Sequence, residues 1–129
     1  NSSVALVHGM ARPLGAKFGI PHGVSNAVLL EAIMRFSLPG APERYARLAE
    51  AMGAVPAGTP LETARAGFDI VSRLVRELHI PRLRDLLSRD ALDAQLDAMV
   101  REAVASGSPA NNPRPASPEE IASLYGEAF

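Results

Sequence analysis

Apart from the opening stretch, apolar residues recur along this chain at intervals of three and four, the period of a helix with one buried stripe, and no run alternates like a half-buried strand. The reading is all-α. A first helix is expected to begin near Ser2 or Ser3 and to kink or stop at Pro13, which brings no backbone N–H and disfavours helical geometry at Arg12. Residues 13–23, "PLGAKFGIPHG", hold two prolines and three glycines and predict a tight connection that lets backbone approach a neighbour. From His22 to Ser37, "HGVSNAVLLEAIMRFS" is apolar on nearly every side until Glu31 and Arg35, predicting a helix buried over most of its circumference. Glu31 and Arg35 stand four apart with the acid first and are expected to form a surface pair.

After the "LPGAP" turn, Pro42 and Glu43 open a short helix striped by Tyr45, Leu48, Ala49 and Met52 and closed by Gly53. Thr59, Pro60 and Glu62 then form a capping box for the longest helix, with Leu61, Ala64, Phe68, Val71, Val75 and Leu78 as its apolar face. A short segment from Pro81 to Leu87 leads into a helix from about Arg89 to Ser106, striped by Leu92, Leu96, Met99, Ala103 and Val104 and stopped by Gly107. "SGSPANNPRPA" predicts a loop, after which Ser117, Pro118 and Glu120 cap a last helix carrying Ile121, Leu124 and Tyr125. The sum is a bundle of about six helices.

Composition narrows the class. At 129 residues the chain supports one hydrophobic core, so residues 1–129 are read as a single domain, and 47% apolar with 21% charged residues fits an ordinary soluble globular protein. A net charge of −1 offers no basic face to a phosphate backbone and 5% aromatic residues leave little to stack on bases, so nucleic acid is not an expected partner. With no cysteine, a transition-metal site must be built from histidine and carboxylates, and a cytoplasmic location is expected. The run "AVLLEAIMRF" is interrupted by Glu31 and Arg35 and is too short to cross a bilayer, so no membrane partner is expected either. Neither does the N-terminus have the basic-then-apolar layout of a signal peptide. The chain begins at Asn1 with no methionine, and "SSVALVHGMA" already reads as helix, which suggests a piece of something longer.

Candidate chemistry centres on the histidines. Neutral imidazole is the commonest transition-metal ligand, and His8 and His22 flank the Pro/Gly-rich segment. Their spacing is compatible with two metal ligands brought together by a turn, or with two side chains that cap or hydrogen-bond near helix ends. A catalytic zinc or iron site takes three protein ligands, so the chain holds at most half of one. Glu31, nine residues after His22, falls on the opposite face of a helix containing both. Asn26, one turn after His22, faces the same way and is read either as orienting that ring and lining a pocket, or as a buried amide tied to backbone. His79, just before Pro81 at a helix end, is read as structural, meeting the last carbonyls. There is no GxGxxG, Walker-type loop or GxSxG elbow, and Arg73, Arg76, Arg82, Arg84 and Arg89 read as a solvated face interspersed with acids.

The stretch "HGMARPLGAKFGIPHGVSNAVLL" resembles the signature of the iron-containing (group III) alcohol dehydrogenases, approximately H-x-x-x-H-P-L-G, then P-H-G, then N-A and an apolar run. His8, Pro13, Leu14, Gly15, Pro21, His22, Gly23, Asn26 and Ala27 fall at the family's offsets. Weaker similarity continues through "LHIPRLRDL", "NNPRP" and "SPEEIASLYGEAF", so the resemblance covers essentially the whole chain and the C-terminal part of the family's fold. It implies the helical domain of a dehydroquinate synthase-like architecture, preceded in the complete enzyme by a Rossmann-like domain that binds NAD or NADP. It also implies an Fe2+ or Zn2+ ion held by an aspartate and three histidines, of which His8 and His22 match the last two. The implied reaction interconverts a small-molecule alcohol with an aldehyde or ketone, with a Lewis-acid metal and the nicotinamide as hydride acceptor. A homo-oligomer is implied too, and this chain alone is expected to be inactive.

The sequence departs from the family at one position. Where the family commonly has a second histidine four residues after the first of this pair, Arg12 stands here. A guanidinium stays charged and cannot relay protons as imidazole does. It shares a helix face with His8, which makes Arg12 the candidate catalytic residue near metal and substrate, suited to attract an anionic substrate or cofactor group. The alternatives to the dehydrogenase reading are a free-standing helical interaction module and a remnant without catalytic activity.

Overall fold

Residues 5–129 are described by a computed structural model, in which the chain runs through α1 (Ala5–Phe18), α2 (His22–Ser37), a 3-10 turn at Leu38–Gly40, α3 (Pro42–Ala51), α4 (Pro60–Glu77), α5 (Leu83–Leu86), α6 (Arg89–Ala105), α7 (Ser108–Asn111) and α8 (Pro118–Ala128). The six longer helices are those expected. The capping box expected at α4 forms in part: Thr59 Oγ1 accepts from the Glu62 amide at 3.2 Å and donates to the Glu62 carboxylate at 3.1 Å. At α8, Ser117 Oγ accepts from the Glu120 amide at 3.1 Å while Glu120 returns a bond to the Ser117 amide at 2.9 Å. Ser88 caps α6 in the same manner, its hydroxyl accepting from the Ala91 amide at 3.1 Å. The expected start of α1 at Ser2 or Ser3 lies outside the described residues.

Pro13 neither kinks α1 to a stop nor begins a loop. It sits buried inside the helix, which continues to Phe18 and ends at Gly19, whose φ of +67° and amide bond to the Gly15 carbonyl make the stop. A proline forfeits one bond, to the carbonyl of Gly9, but Leu6 and Met10 before it and Leu14 after it are all fully buried. Core packing on both sides of the proline outweighs one missing hydrogen bond. The connection to α2 therefore shrinks from the expected residues 13–23 to 19–21.

The main core joins Leu6, Met10 and Leu14 of α1 to Leu29 and Ile33 of α2, Met99 of α6 and Tyr125 of α8. A smaller one holds the α3–α4 hairpin onto α2 through Leu38, Tyr45 and Ala64. The expected stripes on this hairpin hold in part: Tyr45, Ala49 and Ala64 are buried as expected, Leu48, Met52 and Leu78 are exposed, and α3 buries Ala46 as well. The cause is a close approach of small residues: a Cβ on Gly67 would run into Ala49 Cβ and lie 2.9 Å from Ala49 Cα, so the bulky side chains are displaced to the rim. Val104, expected in the stripe of α6, is likewise exposed.

The segment expected as a loop after α6 contains the single turn α7 and is anchored at both ends. Gly9 of α1 faces Ser106 and Ser108 so closely that a Cβ there would lie 2.9 Å from Ser106 Oγ and 2.8 Å from Ser108 Cβ. Farther on, Asn112 Nδ2 donates to Ser37 Oγ at 2.8 Å, and the Arg114 guanidinium donates to the Phe36 carbonyl at 3.1 Å while lying 4.1 Å above the Phe36 ring. Among the described residues no helix is long and apolar enough to cross a membrane.

Candidate metal centre

Buried positions on α1 follow the helical period, Leu6, Val7, Met10, Ala11 and Leu14, which turns His8 and Arg12 to the exposed side. Gly19 reverses the chain, and Pro21, extended at φ −55° and ψ 146°, precedes His22 at the first position of α2. The turn is held by the Ser25 amide on the Pro21 carbonyl at 2.9 Å and by the buried Ser25 hydroxyl on the Ile20 carbonyl at 3.3 Å. As a result the rings of His8 and His22 lie with centroids 5.4 Å apart and planes 9° from parallel, both on the exposed surface.

That spacing can be tested against a shared ion. Two imidazoles bound at about 2.1 Å to one tetrahedral metal place their ring centres about 5 Å apart. The donor set is also right for iron or zinc, imidazole nitrogen on rigid helices. The Asn26 side-chain amide, one turn along α2, lies within hydrogen-bond distance of His22 Nε2 at 3.2 Å, and its Oδ1 is buried without a partner. The contact favours the ring-facing of the two readings that its position in the sequence allowed over a backbone-tied amide. The two histidines fit as part of a ligand set. Among the described residues no group of three or more metal-ligating side chains comes together, so they fit as two ligands only.

The other candidates lie elsewhere. Glu31 does not pair with Arg35: its carboxylate accepts from the Ser72 hydroxyl at 2.6 Å, and Arg35 instead meets Glu127 at 3.4 Å and lies 5.1 Å over Phe68. Tertiary neighbours on α4 and α8 outcompete the local pair, whose helical spacing contributes only about 0.2–0.5 kcal/mol. His79 closes α4 in the left-handed region at φ 56°, its amide on the Arg76 carbonyl and that of Ile80 on the Val75 carbonyl. Of the solvated arginines, Arg82 also donates to the Glu127 carbonyl at 3.0 Å, and Arg89 pairs with Asp93 at 3.2 Å. Arg12 lines a groove beside α1 together with Glu102 and Ser106. Sequence reasoning missed that α6 wall, whose only local signal is a glycine, Gly9, inside a helix.

Comparison with known proteins identifies the family. The sequence pattern of the Fe-containing alcohol dehydrogenase family, C-terminal, matches residues 1–129. The chain is 40% identical to lactaldehyde reductase of Escherichia coli (strain K12) over 132 residues, 100% of this chain and 34% of that protein. It is 37% identical to 1,3-propanediol dehydrogenase of Klebsiella pneumoniae over 131 residues, 100% of this chain and 33% of that protein. The crystal structure of a 1,3-propanediol oxidoreductase matches with a TM-score of 0.87 at 36% identity, over 96% of this chain and 32% of that one. An alcohol dehydrogenase from Oenococcus oeni matches with a TM-score of 0.84 at 31% identity, over 95% of this chain and 32% of that one. The chain thus spans about a third of the length of these relatives. It belongs to the Fe-containing alcohol dehydrogenase family and corresponds to the helical C-terminal part of its members.

Proposed function

We propose that this chain is the metal-binding helical domain, residues 1–129, of an NAD(P)-dependent alcohol dehydrogenase, with His8 and His22 as two ligands of one iron or zinc ion. The observation that carries the reading is the pair of exposed imidazoles, on two helices joined by a short turn, with ring centres 5.4 Å apart. The remaining ligands and the dinucleotide site belong to residues outside this chain. When bound, the ion supplies a Lewis acid that lowers the pKa of an alcohol hydroxyl, and the nicotinamide accepts hydride.

The part played by this chain's own residues is positional. The buried face of α1 fixes His8 on a rigid element, the Gly19–Pro21 turn presents His22 at the start of α2, and the Asn26 amide restrains the His22 ring. Substrates are small alcohols and their aldehydes or ketones, in keeping with the names of the relatives, lactaldehyde reductase and 1,3-propanediol dehydrogenase. The exposed apolar side chains of Leu48, Leu74 and Leu78 suit a homo-oligomer, and the absence of cysteine suits a cytoplasmic enzyme.

The test is elemental analysis of the full-length protein purified without chelator, alongside nicotinamide reduction with 1,3-propanediol. Stoichiometric iron or zinc and alcohol-dependent reduction are expected, and both should be lost in His8→Ala and in His22→Ala. Full metal content in both variants would overturn the assignment of these histidines.

A further inference from the structure

α3, 10 residues long, is too short to cover the 18 of α4. The two helices meet where a Cβ on Gly67 would lie 2.9 Å from Ala49 Cα, and counting away from that contact along antiparallel axes puts Pro42, the first residue of α3, level with Leu74. At about 100° per residue, Leu74 and Leu78 project within about 20° of Gly67, on the stripe whose earlier members Thr63 and Gly67 are buried. Past Pro42 the stripe has no α3 to face. Leu74 is 46% exposed, and Leu78, held in the last turn by its amide on the Leu74 carbonyl at 2.9 Å, is 69% exposed. One flank of this end is taken, since Val75 lines a small cavity against Ala27 and Val28 of α2. The other flank carries Arg73 and Glu77, both exposed and neither in a salt bridge among the described residues.

We propose that this uncovered end of α4 docks on the same end of a second copy of this chain, the two helices running antiparallel about a two-fold axis level with residues 75–76. The inference rests on the homo-oligomer reading above, to which it gives an interface, and is independent of the metal assignment. A two-fold contact must be self-complementary, with residue i meeting j and j meeting i. An axis at that level sets each Leu74 against Leu78 of the second copy, and it brings each Arg73 within about 3 Å, along the helix axis, of Glu77 of the second copy. The leucines leave water together, while the two reciprocal ion pairs lie on the rim, where opposite charges fix register and orientation. Within one helix, Arg73 and Glu77 stand four apart with the base first, the weaker order for a local pair. The order that is poor within a helix is the one an antiparallel copy complements.

The experiment is sedimentation velocity with light scattering on a dilution series of the full-length protein, for the native sequence, Arg73→Glu, Glu77→Arg, the double variant Arg73→Glu/Glu77→Arg, and Leu78→Glu. All these positions are exposed, so helix content by circular dichroism should not change. The native protein is expected as a dimer or an even-numbered higher assembly. Each single charge reversal sets like charges across the axis and should raise the dissociation constant of this contact about 10- to 100-fold, at least halving the mass on dilution. The double variant exchanges the charges in both copies and should regain the native mass. Leu78→Glu puts a carboxylate into the apolar pair and should dissociate as the single reversals do. Native mass in both single reversals and in Leu78→Glu overturns this interface and leaves the face to residues outside the chain. Dissociation of the single reversals without recovery in the double variant overturns the antiparallel pairing. A monomeric native protein overturns the homo-oligomer reading along with it.

Discussion

The phenol of Tyr125 on α8 donates a 2.6 Å hydrogen bond to the carbonyl of Met10 on α1, inside the core and midway between His8 and Arg12. Burial, reinforced by the negative charge of Glu102, pushes this hydroxyl's pKa well above the usual phenol range, so it remains a donor throughout ordinary conditions. Tyr125→Phe keeps the ring and removes only the bond. Urea unfolding should show a loss of about 1 kcal/mol, a typical net value for one buried hydrogen bond.

Gly67→Ala tests the contact that sets the α3–α4 hairpin. Helix propensity alone would favour the alanine by about 1 kcal/mol. The new methyl would overlap Ala49, and overpacking costs about 1–3 kcal/mol, so the net effect should be a loss. A lower denaturation midpoint for Gly67→Ala is the expected result.

Glu120 in the capping box of α8 is held below the ordinary carboxylate pKa, chiefly by its bond from the Ser117 amide, with further lowering from the Ser117 hydroxyl and from Arg114. A pKa depressed in the folded state means that the ionised form favours folding. Its contribution is present above the unfolded carboxylate pKa and disappears as pH falls through the folded value. Glu120→Gln should therefore lower the melting temperature at pH 7 and converge with the native protein in acid. A difference independent of pH would assign the effect to packing.

If His8 and His22 share an ion, the metal cross-links α1 to α2 and stabilises the native state by mass action. An ion present at a hundred times its Kd contributes about 2.7 kcal/mol. Chelation of the full-length protein should lower its melting temperature, and His22→Ala should melt at the chelated value with or without chelator. Equal chelator sensitivity in native protein and variant would place the ion elsewhere.

Local pattern was enough for the helices and their caps. Thr59, Ser117 and Glu120 act within three residues of themselves, and the apolar period of α6 registers its core face at Leu92, Met99 and Ala103. The same pattern failed where small residues meet. Gly67 against Ala49 sets the close approach of two helices, and Gly9 against Ser106 and Ser108 builds the groove wall, yet a glycine in a sequence does not name what approaches it. The partner of Glu31 was likewise set by Ser72, 41 positions away, rather than by Arg35 four positions away.

By itself, the sequence determined the helical class and the starts of α2, α3, α4, α6 and α8, because these depend on residue type and short-range spacing. Only the tertiary structure decided that α1 runs through Pro13, that the His8 and His22 rings come within 5.4 Å, and that Arg12 opens onto a groove. Those outcomes depend on packing between segments distant in sequence, where burying Leu6, Met10 and Leu14 on both sides of a proline outweighs the one hydrogen bond that proline removes.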